Sequence, residues 1–137
     1  MEIITIETPS LGVRIYVVVT AGQAAAIDPQ RDIDRIEAVA RERGVRLTHV
    51  FETHIHNDYV TGGLELARRT GAAYVVAADD EVSFERVAAR DGDEFLVGEL
   101  TVRAVHTPGH TLHHLSYVVF DDGRPVATFT GGSMLYG

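Results

Sequence analysis

An α/β fold is what this chain predicts, and three observations predict it. Short apolar runs rich in Val, Ile and Ala alternate with an amphipathic stretch of helical period in the first half. Runs that pair locally around turn residues fill the second half. Two histidine-bearing motifs follow strand-like runs directly, and ligands of α/β proteins gather on loops at strand carboxyl ends.

Residues 2–6 and 13–19 read as strands, and a turn at Gly22 leads into a third run at 24–27 that Asp28-Pro29 ends. Over 32–43 the period changes. Ile33, Ile36, Val39 and Ala40 make one apolar stripe, and Gly44 supplies the stop. Residues 47–51 are apolar and β-branched enough for a buried strand. Thr61 is placed to cap a short helix running to Arg69, with Gly71 behind it. A strand follows at 73–76. The stretch 79–89 fits either a helix or a long loop. Residues 94–97 and 100–105 form a hairpin around Gly98, and 115–120 and 126–130 form another across Asp121-Asp122-Gly123-Arg124. Neither a linker nor a repeat is visible, so residues 1–137 read as a single domain.

With 137 residues and 45% apolar composition the chain can build one core but not two comfortable ones. Twenty acidic against twelve basic side chains give a formal charge of -8, which favours neither nucleic acid nor an anionic membrane surface as partner. The absence of cysteine excludes disulfides, thiolate metal ligands and a cysteine nucleophile. No basic leader and no apolar run near ~20 residues is present, so a cytoplasmic location is expected.

Thr53-His54-Ile55-His56-Asn57-Asp58-Tyr59 places three potential ligands within five residues, and Thr107-Pro108-Gly109-His110-Thr111 adds another histidine. In a locally extended loop, two-residue spacing sends the His54 and His56 imidazoles to one side, and Asp58 continues that register. Gly62-Gly63 keeps bulk away from the loop. Pro108 and Gly109 shape the turn that presents His110. Three neutral imidazoles with one open position make a catalytic zinc shell. The bland alternative is a set of histidines bonding to backbone at strand ends. Asp58 is the candidate to orient or deprotonate a metal-bound water, against a plain helix-start carboxylate. Tyr59 could bound the pocket or donate to a substrate oxygen, or simply pack. His49, His106, His113 and His114 are weaker candidates: His49 reads as structural, and His114 as a core or ligand-supporting residue.

With IDPQRD at 27–32, THIHNDYVTGG at 53–63, TPGHT at 107–111 and FTGGS at 129–133, the chain resembles the metallo-β-lactamase superfamily from residue 11 onward. The resemblance is to its glyoxalase II and persulfide dioxygenase-like branch and to related domains fused to rhodaneses. It implies an αββα sandwich with the metal at one edge between two mixed sheets. This chain then supplies the N-terminal half to two-thirds and is incomplete at the C-terminus, so either a homo-oligomer or a missing C-terminal segment completes the layers.

The resemblance assigns His54, His56 and His110 to a first metal and Asp58 to a second. Tyr59 stands where the family has a second-metal histidine, and Gly132 aligns with its bridging aspartate. One zinc ion is therefore expected, with iron(II) as the alternative. The implied function is hydrolysis of a small-molecule thioester or related ester by metal-bound hydroxide, with Asp58 and Tyr59 as the catalytic side chains. The alternatives are a persulfide dioxygenase using mononuclear iron and a catalytically impaired binding domain.

Overall fold

Every residue of the run from Ile15 to Val19 is buried, and so is every residue from Ala24 to Ile27. Such continuity means that both faces of a sheet are covered. The computed structural model describes residues 1–8, 13–29, 33–54, 62–78, 86–107, 114–131 and 134–136. Within it, β1 (Glu2–Thr8), β2 (Val13–Thr20), β3 (Gln23–Ile27), β4 (Arg46–Phe51), β5 (Ala73–Ala77) and β6 (Val87–Ala89) form a first sheet in that spatial order. The first three pair antiparallel and the last four parallel. Helices α1 (Ile33–Glu42) and α2 (Gly62–Thr70) make the crossovers from β3 to β4 and from β4 to β5. The second sheet is antiparallel, in the order β11 (Met134–Tyr136), β10 (Arg124–Phe129), β9 (Leu115–Asp121), β8 (Leu100–His106), β7 (Glu94–Val97).

Strand alternation divides the core in two. Ile15, Val17, Ala24, Ala26, Tyr74 and Val76 pack with Ile33, Ile36, Leu64 and Leu66 under the helices. Their neighbours Tyr16, Val18, Ala25, Ile27 and Val75 point the other way, onto Val102, Ala104, Tyr117, Val119 and Phe129 of the second sheet. In β4 the alternation skips a residue. Pairing with β3 shifts register between Ala24 and Ala25, so Leu47 and Val50, three apart, both reach the helix side. His49 and Phe51 then share the inter-sheet side, where their rings stack at 5.4 Å.

Three long-range hydrogen bonds lock one sheet to the other. Leu115 N–H donates to the Thr53 carbonyl (2.8 Å), Tyr117 O–H to the Glu52 carbonyl (2.7 Å), and Gly98 N–H to Gln23 Oε1 (2.9 Å). The first two lie beside each other, just past the carboxyl end of β4. Among the described residues no helix is long and apolar enough to cross a membrane.

The expected elements appear with small shifts. α2 starts at Gly62, the position that follows the expected Thr61 cap, and ends one residue beyond Arg69, closing on Gly71 at φ +76°. The hairpin between β9 and β10 turns on Asp122 and Gly123 alone, both at positive φ, the geometry of a type I′ turn. The stretch left open between helix and loop ends in the strand β6. Three residues are too few to show a period, and what makes them a strand is parallel pairing with β5. β11 was not foreseen for the same reason.

His49 gives the fold a pH dependence. Burial against Phe51 and Phe95 holds its imidazole below the ordinary value of 6.5. The unfolded chain therefore takes up that proton at higher pH than the folded chain does. The contribution is complete above the unfolded pKa and is lost as pH falls through the interval down to the folded one. Urea midpoints should drop between about pH 7.5 and about pH 5.5, and the drop should be smaller in His49→Gln. Equal drops in the two proteins would remove His49 as the cause.

Candidate metal centre

The carboxyl ends of β3 and β4 and the facing ends of β8, β9 and β10 meet at one edge of the two sheets. Thr53, fully buried, stands at the centre of that edge. Its N–H donates to Asp28 Oδ1 at 2.7 Å, and its Oγ1 lies 2.7 Å from Asp28 Oδ2. The same Oγ1 is 2.9 Å from Nδ1 of His54. Its carbonyl accepts from Leu115. Asp28 reaches this position through φ +52°, a left-handed conformation that Asp tolerates better than most side chains, and its N–H donates to the Phe51 carbonyl (2.8 Å). The β3 end is thereby stitched to the β4 end by three bonds.

A second imidazole is held in a similar way from the other sheet. His114, buried just before β9, has Nδ1 3.0 Å from Thr107 Oγ1, which is 2.8 Å from Ser116 Oγ. Thr107 N–H donates to the His114 carbonyl. The His114 and His54 rings stack with centroids 5.7 Å apart and planes 17° from parallel. Each ring thus has a threonine hydroxyl at Nδ1, one threonine from each sheet. Against both His114 and Thr53 lies Gly131, at φ +89° beyond the end of β10. A Cβ there would stand 2.5 Å from His114 Nε2 and 3.0 Å from Thr53 Oγ1.

Of the residues singled out in the sequence, His54 is on this edge, half-buried and directly behind β4. His56, Asp58 and Tyr59, and His110 and His113 on the other loop, lie outside the described residues. Among the described residues no three of the ligand types come together as a metal cluster. His49 is structural, as its strand position suggested, and His106 is exposed. His114, expected as a core or ligand-supporting residue, is buried and stacks on His54.

Sequence reasoning passed over Asp28, read only as the end of a strand, and Thr53, Thr107, Ser116 and Gly131. A carboxylate directly after a buried strand, and a threonine in each histidine motif, were the available signals.

The packing around Gly131 can be tested directly. Gly131→Ala forces a methyl onto an imidazole whose other nitrogen is already pinned, and asks Ala for a positive φ. A loss of about 1–3 kcal/mol in urea unfolding is expected. An unchanged midpoint would contradict the contact.

Comparison with known proteins accords with this geometry. The family model described as the Metallo-beta-lactamase superfamily matches residues 9–126. A hydroxyacylglutathione hydrolase of Rhizobium johnstonii is 36% identical over 124 residues, covering 89% of this chain and 48% of its own length. One from Methylococcus capsulatus is 40% identical over 116 residues, covering 83% and 44%. Among solved structures, a metallo-beta-lactamase from Staphylococcus aureus superposes with a TM-score of 0.84 at 28% identity, over 95% of this chain and 42% of that one. ETHE1 from Myxococcus xanthus does so with a TM-score of 0.78 at 34% identity, over 87% and 54%. The chain spans about half the length of these relatives. It has the metallo-β-lactamase fold, and it belongs to the metallo-beta-lactamase superfamily.

Proposed function

We propose that this chain carries the histidine side of a mononuclear metal centre in a hydrolase of thioesters or related esters. The observation that carries the reading is His54: an imidazole at the carboxyl end of a buried parallel strand, held at Nδ1 and opening the run His54-Ile55-His56-Asn57-Asp58. The donor chemistry fits a metal. Nitrogen and oxygen donors are abundant and thiolates are absent, and a histidine bound to a hydroxyl through one nitrogen is oriented to ligate through the other. The relatives named hydroxyacylglutathione hydrolase support thioester chemistry.

His54, His56 and His110 are the proposed ligands, with zinc as the metal. A zinc ion held by neutral imidazoles supplies Lewis acidity, polarising a carbonyl and bringing the pKa of a water toward ~7. Asp58 would orient a water and take its proton, and Tyr59 would donate to a substrate oxygen or bound the pocket. The likeness to ETHE1 supports one second reading, oxidation of a persulfide at iron(II).

Metal analysis separates the two readings. Protein purified without added metal should hold about one zinc per chain, lose most of it in His54→Ala or His110→Ala, and hydrolyse an acyl thioester. Asp58→Asn should keep the metal and lose turnover by ~100-fold or more. Iron with persulfide-driven oxygen consumption would replace the hydrolase reading. A metal-free, inactive protein would sink both.

A further inference from the structure

The relay behind His54 has a direction. An ionised carboxylate only accepts hydrogen bonds, and both oxygens of Asp28 are engaged by Thr53: Oδ1 by the N–H and Oδ2 by the hydroxyl, each at 2.7 Å. The Thr53 hydroxyl has one proton, and Asp28 takes it. What Thr53 Oγ1 turns toward His54 Nδ1, 2.9 Å away, is therefore a lone pair. Nδ1 must then carry the imidazole proton, and Nε2 must carry the lone pair. We propose that Asp28 is a positioning residue that sets the tautomer of His54 through Thr53, committing Nε2 to act as a ligand or base.

Several features make this a built device. Thr53 is fully buried, so water does not compete for its hydroxyl. Its backbone is held independently of that hydroxyl, by Asp28 Oδ1 on the N–H and by Leu115 on the carbonyl, so Oγ1 stays in place. Asp28 itself sits in a left-handed conformation before Pro29, where an extended backbone is the ordinary preference. A strained backbone kept by surrounding bonds points to a side chain whose position matters. Stacking on His114 fixes the plane of the His54 ring. That Nε2 meets a metal rests on the proposed function; the tautomer assignment does not.

Replacing Asp28 with Asn tests the relay sharply, because Asn also tolerates the left-handed backbone. The side-chain carbonyl of Asn can still accept from Thr53 N–H, but its amide then faces Thr53 Oγ1 as a donor. The hydroxyl proton must swing to His54 Nδ1, and the imidazole proton moves to Nε2. Long-range proton–nitrogen NMR spectra of metal-free protein labelled on histidine read this out, with His54 identified by its loss in His54→Gln. The unsubstituted protein and Thr53→Ser should show His54 protonated on Nδ1, and Asp28→Asn should show it protonated on Nε2. Zinc affinity, measured by competition with a chelating dye, should fall about 10–100-fold in Asp28→Asn and be nearly kept in Thr53→Ser.

A purely structural Asp28 would lower stability and leave the tautomer alone. The same tautomer in Asp28→Asn, or Nε2–H in the unsubstituted protein, therefore overturns the proposal. If Asp28→Asn fails to fold, the unsubstituted protein and Thr53→Ser still decide it, since Nε2–H in either is fatal. Tautomers as stated in a protein that holds no zinc would support the relay and defeat the hydrolase reading.

Discussion

Every polar atom of Thr53 is bonded, and together the bonds join three parts of the molecule. Its N–H and hydroxyl hold the end of β3 through Asp28, its carbonyl holds the start of β9 through Leu115, and its hydroxyl oxygen meets His54. The residue is completely buried, so none of these bonds is exchanged for water without opening the structure. Sheet pairing, sheet-on-sheet docking and the orientation of a candidate ligand thus pass through one side chain. In the proposed reading, an ångström of misplacement at this edge would cost about two orders of magnitude in rate, and a joint of this kind limits it.

The placement of the joint follows from the layers. β3, β4 and β5 are parallel and covered by α1 and α2 on one face and by the second sheet on the other, so their sides offer a ligand nothing. Only the strand ends are open. The space at the carboxyl ends of β3 and β4 is where Asp28, Thr53 and His54 stand. Tyr117 and Leu115 close the floor of that space by bonding Glu52 and Thr53.

The sequence was most legible where burial is two-sided and least legible where a partner is remote. Ile15 to Val19 and Ala24 to Ile27 announce strands because nothing polar interrupts them, and the α1 stripe announces a helix for the complementary reason. Thr48 and the register shift beside it escaped notice, since one extra residue alters no composition. On the candidate site, His54 declared itself by its spacing from His56. Asp28 did not, because its partner is 25 residues away and an Asp-Pro pair reads as punctuation. His114 was weighed as a supporting residue on strand register alone. Its contact with His54 joins two loops that no local pattern connects.

Gly131 bears on the kind of metal site this edge can hold. The turn after β10 comes against His114 and Thr53 so closely that a side chain at 131 has no room, so the turn approaches by its backbone. The next residue, Gly132, brings no carboxylate, where the resemblance implies a bridging aspartate in the family. In the proposed reading the ligands are then imidazoles alone, and neutral ligands leave the ion's double charge undiminished. An anionic ligand would reduce that charge and with it the acidity induced in a water. In that reading the missing aspartate would cost affinity and the second metal, but it would favour polarisation by the remaining ion. The cost raises the demand on the imidazoles, each of which must present a lone pair without first paying to move a proton. In that reading a site without an anionic ligand has the more reason to keep a carboxylate such as Asp28 one threonine behind the first histidine.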